Sequence, residues 1–239
     1  MVGAIRSFSP IVELRRYTLR PGQREALIAL FDREFVETQE AVGIDVIGQF
    51  RDLDAPDHFV WLRGFPDMHS RTEALRAFYG GPVWQAHRDA ANATMIDSDD
   101  VLLLRPAHPE AGFRLDCDRP APGQGALPGG IVVATIWHLD PAAEAGFPKV
   151  FETVLTPALR DTGVPILAAF VSEHAENGFP ALPVRADARV FVWFSRFPDR
   201  AAYDRHAALA PGFAAALWPH LARPPEVALL SPTARSRLR

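Results

Sequence analysis

The chain has a single cysteine, Cys117, among 239 residues. An intrachain disulfide is therefore excluded, which suits a reducing compartment. No apolar run approaches the ~18 to 20 residues of a membrane-spanning helix, and "MVGAIRSFSPIVELRRY" lacks the continuous apolar stretch of a signal peptide. A cytoplasmic location is expected. Basic residues are dispersed and the formal net charge is −4, so neither a nucleic-acid footprint nor a polybasic membrane contact is expected. The eight histidines form no HExxH, no paired Cys-x-x-Cys exists, and no two-His-one-carboxylate spacing appears. No metal site is expected from that pattern. Gly80-Gly81 is followed by Pro82, the wrong context for a phosphate-cradling loop. There is no Gly-x-Ser-x-Gly elbow and Cys117 has no local partner, so nucleophilic catalysis has little support. No cofactor is implied by any of these patterns.

What is present is an ordinary globular composition, 48% hydrophobic and 23% charged, enough to build a core without staples. It also contains a repeat. "FVWLRGFPD" (Phe59 to Asp67) returns as "FVWFSRFPD" (Phe191 to Asp199), with six of nine residues identical. Upstream, "IVELRRYTLRP" (Ile11 to Pro21) lies over "IVVATIWHLDP" (Ile131 to Pro141), with Tyr17 facing Trp137. At the same offset Phe31 falls on Phe151, Gly43 on Gly163 and Phe50 on Phe170. Downstream, "DVLLLRP" (Asp100 to Pro106) lies over "EVALLSP" (Glu226 to Pro232). The second copy is longer only between Ser172 and Ala188, where a hairpin tolerates insertion.

Each copy reads in the same order. Ile11 to Leu19 is β-branched and aromatic enough for a strand, and Pro21-Gly22 ends it. A helix follows with Leu27, Leu30, Phe31 and Phe35 on one stripe, stopped by Gly43 in a left-handed cap. Ile44 to Phe50 and His58 to Arg63 are short strands, and Asp67 is placed to cap a second helix through Phe78. A short helix around Trp84 and a last strand, Val101 to Leu104, complete the unit. In the second copy the first stripe is expected at Phe147, Val150, Phe151, Val154 and Leu155, with Pro157 kinking or shortening that helix. The expected fold is α+β: two tandem ferredoxin-like βαββαβ repeats, bare sheet face to bare sheet face, closing an intrachain pseudo-dimeric barrel. Residues 1–106 are the first repeat, 107–130 a Pro/Gly-rich tether and 131–239 a degenerate second repeat. The terminal "ARSRLR" reads as a frayed tail.

Glu13-Leu14-Arg15-x-Tyr17, Arg71 early in the second helix, and Trp84 after Gly-Gly-Pro resemble the NIPSNAP family. The resemblance covers roughly Ile11 to Pro106 well, and the second half only in element order and its aromatic and last strands. It implies a dimeric α+β barrel and carries little about chemistry. Some barrels of that superfamily hold haem through a helical histidine; His87 and His206 sit in broadly similar regions of the two copies.

Strand alternation puts Glu13, Arg15 and Tyr17 on one face and Val12, Leu14 and Arg16 on the other. With Val12 and Leu14 under the helices, the polar trio would point into the barrel, where its counterparts Val133, Thr135 and Trp137 are uncharged. A buried Glu-Arg pair is costly unless well hydrogen-bonded, so it is either a site or a structural ion pair. Trp61 and Arg63 share a face with Phe59, and Trp84 lies one turn from His87 and Arg88. These give candidate acid-base residues Glu13, Tyr17 and His87 and candidate ligand-binding residues Arg15, Trp61, Arg63 and Trp84. The bland alternative is that the aromatics are core and His87 is solvated. Two functions follow. One is a protein binding a small organic ligand in the barrel cavity, with cofactor-independent oxygenation- or isomerisation-type acid-base chemistry. The other is a non-catalytic carrier or interaction module. One chain supplies both sheets, so a monomer suffices, with homo-oligomers through outer surfaces left open.

Overall fold

Apolar and β-branched residues on both faces of most strands dictate a sheet largely buried on both sides, and that is what forms. The computed structural model describes residues 9–115, 118–208 and 216–239; Cys117 lies outside them. In the first repeat β1 (Ile11–Leu19) leads to α1 (Arg24–Leu30), a π-helical turn (Phe31–Phe35) and α2 (Val36–Glu40). Then come β2 (Asp45–Asp52), β3 (His58–Phe65), α3 (Met68–Gly80), α4 (Pro82–Asn92) and β4 (Met95–Pro106). The second repeat is β5 (Ile131–His138), α5 (Phe147–Val150), a second π-helical turn (Phe151–Leu155) and α6 (Thr156–Asp161). It continues with β6 (Ile166–Ser172), β7 (Val190–Phe197), α7 (Arg200–Ala207), a 3₁₀ turn (Trp218–His220) and β8 (Glu226–Pro232).

The repeated local signals act as expected. Asp67 accepts from the Ser70 amide at 2.6 Å and Asp199 from the Ala202 amide at 2.7 Å, each capping its helix. Gly43 and Gly163 take φ of 90° and 75°, the left-handed turn that releases the first helix of each repeat. β4 starts earlier than expected because polar Asp97 still pairs with Thr18. The π-helical turns occupy equivalent positions, and no local signal in the sequence announces them. They also explain two departures. Pro157 neither breaks nor removes the helix, since the π turn ends just before it and leaves it in the first turn of α6, where a missing N–H costs nothing. Val154 is 46% exposed, because the wider turn rotates it outward; Phe147, Phe151, Leu155 and Leu159 form the buried stripe instead.

The eight strands close into one barrel in the order β1-β3-β2-β8-β5-β7-β6-β4. Two three-residue seams join the sheets. Phe50, Arg51 and Asp52 pair with Pro232, Ser231 and Leu230, and Leu104, Arg105 and Pro106 with Ser172, Val171 and Phe170. Closure removes the edges that either sheet would otherwise expose. The expected facing is reversed. Val12, Leu14, Val60, Leu62, Leu102 and Leu104 point inward and meet Val132, Ala134, Ile136, Phe170, Val192 and Phe194 from the other sheet. Glu13, Arg15 and Tyr17 therefore point outward, under the helices. The barrel has a packed interior and is not the ligand cavity expected from the sequence.

Two segments expected to be loose help to fill it. The connection between β4 and β5 sends Phe113 and Leu115 into the barrel core, Phe113 packing 4.9 Å from Phe194 and 5.1 Å from Phe170 between ring centres. The C-terminal segment is not frayed. Leu238 joins the same core and its amide donates to the Ile47 carbonyl at 3.0 Å. Arg235 pairs with Glu37, Arg237 with Asp45 at 2.6 Å, and Ser236 accepts from the Gln49 amide at 3.2 Å. Alternating Arg and other residues look like a solvated tail in isolation; here Arg235 and Arg237 each have a carboxylate waiting beside β2 and its helix. Deleting residues 233–239 should destabilise the protein by about 3 kcal/mol or more, from one buried leucine and several hydrogen bonds. Chemical denaturation measures it, and a free tail would give no change.

Candidate functional site

The outward faces of the two sheets meet their helices in two equivalent layers, one per repeat. In the first, β1 contributes Glu13, Arg15 and Tyr17, β3 contributes Trp61 and Arg63, and α3 contributes Arg71. Glu13 is fully buried and accepts from three guanidiniums, Arg15 at 2.6 Å, Arg63 at 2.7 Å and Arg71 at 2.6 Å. Burial alone would push the Glu13 carboxyl up. Arg63, Arg15 and Arg71 outweigh it and hold the group ionised, well below the usual carboxylate range. Arg15 also donates to Tyr17 Oη at 3.0 Å, and Arg63 to Gln39 Oε1 at 3.3 Å. Burial raises the Tyr17 hydroxyl pKa, so it stays protonated. Rings of Phe31, Tyr17 and Trp61 pack edge to face around these charges.

The structure thus brings Glu13, Arg15, Tyr17, Trp61 and Arg63 together, while Trp84 and His87 stand apart. Trp84 packs on Phe35, Phe78 and Tyr79 at 5.5, 5.9 and 4.8 Å. His87 lies at the rim of the layer, its Nε2 3.5 Å from Glu34. The second repeat's longer connection covers this layer: Asn177 Oδ1 accepts from Arg71 at 2.9 Å and Phe179 stacks on Tyr79 at 5.9 Å. Charged and aromatic side chains thus line the first layer, and the connection closes it off from outside.

The second layer is more open. It holds a partly open cavity of about 250 Å³ lined by Val133, Thr135, Trp193, Ser195, Tyr203 and His206, with Leu155, Leu217 and Trp218 around them. The repeat alignment makes the comparison direct. Glu13 corresponds to Val133, Arg15 to Thr135, Arg63 to Ser195 and Arg71 to Tyr203. Every member of the charged cluster is replaced by an uncharged residue, and both β-strand arginines by small ones. The space their side chains fill in one repeat is open in the other.

Within this apolar cavity, among the described residues, three polar atoms have no partner: Trp193 Nε1, Ser195 Oγ and His206 Nδ1. Ser195 is 1% and Trp193 6% exposed. Leaving such groups unpaired costs about 1 to 3 kcal/mol each. Burial lowers the pKa of His206 below 6.5, keeping the ring neutral at neutral pH. His206 is not the counterpart of His87. It follows the Asp199 cap, as Ala74 follows Asp67, so it faces the sheet from the middle of its layer. Sequence reasoning gave Ser195 and Tyr203 no role and named His206 only beside His87, as a histidine of the kind that holds haem in some such barrels. The signal was in the repeat itself: large charged residues exchanged for small neutral ones at positions whose surroundings are otherwise kept. Among the described residues no cluster of His, Cys, Asp and Glu could hold a metal ion, and no helix is long and apolar enough to cross a membrane.

The ion cluster is testable. Glu13→Gln should cost about 3 to 5 kcal/mol by leaving buried guanidiniums without their carboxylate; a loss under about 1 kcal/mol in chemical denaturation would mean that the charges are solvated.

Comparison with known proteins fits this geometry. A candidate monooxygenase from Lactobacillus acidophilus aligns over 94% of this chain and 94% of its own, at 13% identity and a TM-score of 0.58. An anthrone oxidase-like protein aligns over 96% of this chain and 93% of its own, at 11% identity and a TM-score of 0.61. At such identities the likeness is one of fold. A NIPSNAP family protein from Agrobacterium tumefaciens covers 40% of this chain and 91% of its own, at 24% identity and a TM-score of 0.38. A search of curated protein sequences gives no match. The NIPSNAP family model matches residues 12–109. The first repeat matches the NIPSNAP family, and a second, diverged repeat completes the barrel.

Proposed function

We propose that this protein binds a small, largely apolar organic molecule in the second repeat's layer and performs cofactor-independent acid-base chemistry on it there. The observation that carries this reading is the set of three unpartnered polar atoms, Trp193 Nε1, Ser195 Oγ and His206 Nδ1, lining an otherwise apolar cavity. A dry apolar cavity of about 150 Å³ accepts benzene, so about 250 Å³ scales to roughly ten non-hydrogen atoms. The guest is one or two rings with an oxygen edge, a phenol or aryl ketone. Trp193 donates to that oxygen, Ser195 donates or accepts, and His206 takes a proton from a hydroxyl or an activated C–H. A neutral imidazole with a lowered pKa is a competent proton acceptor near neutrality.

In this reading His206, and not Glu13, Tyr17 or His87, handles the proton. Glu13 is held ionised by three arginines and Tyr17 is held protonated, and neither lies in the open layer. Arg15 and Arg63 pair with Glu13 and do not line the open layer. The two barrel proteins described by oxidase or monooxygenase names are compatible with such chemistry through their fold. A pure carrier would use the same cavity, but it has no need of a neutral histidine beside its guest.

A panel of small aromatic alcohols and ketones, screened by thermal shift, should stabilise the wild type. Ala207→Phe, which fills the cavity from α7, should abolish the response. If the panel shifts both proteins equally, or neither, the cavity is not the binding site. Binding of a hit should be constant above pH 6.5 and weaken as pH falls further, because protonating His206 puts a charge into the apolar layer. His206→Asn should flatten that profile. An unaltered profile would remove His206 from the site.

A further inference from the structure

The first repeat's ion cluster is not electrically closed. Glu13 carries one negative charge, while Arg15, Arg63 and Arg71 carry three positive ones, and all four side chains are at most 1% exposed. The remaining acceptors around them are neutral: Tyr17, Gln39, Tyr79 and Asn177. A formal excess of two positive charges in a water-excluded layer is costly unless something compensates it.

Hydrogen bonding shows where the shortfall lies. Arg63 uses Nε on Glu13 Oε2 and Nη1 on Gln39 and Tyr79. Arg71 uses Nε on Glu13 Oε1 and Nη1 on Asn177. Their Nη2 atoms are buried and have no partner, as has the indole Nε1 of Trp61, whose ring lies 5.0 Å from the Arg63 guanidinium carbon. Each Nη2 carries two N–H groups. Glu13 cannot close the balance: its single negative charge is already shared among Arg15 and Arg63 on Oε2 and Arg71 on Oε1.

We propose that the first repeat holds a small monoanion, a halide or a compact carboxylate, against the Nη2 atoms of Arg63 and Arg71. A water molecule would meet the unmatched N–H groups and leave the charge excess as it is. An anion meets both, with the charge-assisted bonds that a guanidinium makes best. Tyr79 and the connection carrying Asn177 and Phe179 then shield the ion from solvent. This inference is independent of the ligand proposed for the second repeat. There the arginines' counterparts, Ser195 and Tyr203, are uncharged, so no anion is called for.

The test uses the whole protein dialysed into a buffer whose only anion is a bulky sulfonate. Sodium bromide or sodium formate is then titrated at constant ionic strength. At about a hundred times the dissociation constant, saturating occupancy should raise the melting temperature by roughly 5 to 10 °C. Arg71→Gln should respond much less. Crystals grown with bromide should show an anomalous peak in contact with Arg63 Nη2, Arg71 Nη2 or both, and formate crystals a planar group there. Bromide and formate acting alike mark a general small-anion site, and formate alone marks a carboxylate site. The crystals take precedence over the melting data and need no variant to fold. Only water, or nothing, at this position in both would overturn the proposal.

Discussion

Filling the barrel interior is the constraint on which everything else in this protein depends. Eight strands closed without an edge leave an inside that must be packed or wet. Here Val12, Leu14, Val60 and Leu62 from one sheet meet Val132, Ala134, Ile136 and Val192 from the other. Phe113, Leu115 and Leu238 fill what the strands leave. Because strand side chains alternate, an apolar interior commits every intervening residue to the helix side. Glu13, Arg15, Arg63, Thr135 and Ser195 are therefore neighbours of helices and not of the barrel axis. Where chemistry is possible follows from which face is needed for closure.

The two repeats have spent their outer layers differently. In the first, four charged residues are locked together and the second repeat's connection lies over them. In the second, the same positions carry Val133, Thr135, Ser195 and Tyr203, and the space stays open. The backbone that positions the residues is shared down to the π-helical turns and the aspartate caps, so the difference lies in side-chain volume and charge. Duplication within one chain permits this division. One copy can be fixed as a rigid, ion-clamped half while the other keeps a cavity whose unpaired polar atoms would weaken a fold that had to supply both halves identically.

Much of this architecture is legible in the sequence. "FVWLRGFPD" and "FVWFSRFPD" reveal the duplication, and Asp67, Gly43 and their partners mark where helices start and stop. The barrel follows from two sheets that each lack a cover. What the sequence does not disclose is which face of a strand is inside. For β1, Val12 and Leu14 on one side and Glu13, Arg15 and Tyr17 on the other are all buried, so polarity does not tell inside from outside. Hydrophobic logic favoured helices over Val12 and Leu14, and closure decided otherwise. The tail failed for a related reason: Arg235 and Arg237 look solvated until Glu37 and Asp45 are placed beside them by the fold. Ser195 was hidden because a small residue carries no signal by itself, and His206 because a lone histidine carries little. They become informative only against Arg63 and Ala74 in the other copy.

The most direct measurement is a crystal structure of the protein under xenon pressure, since xenon enters dry apolar cavities and is located by its scattering. The account predicts xenon in the second repeat's layer, beside Trp193 and Ser195, with none among Leu14, Val60 and Phe194 inside the barrel. Xenon on the barrel axis, with the second layer empty, would contradict it.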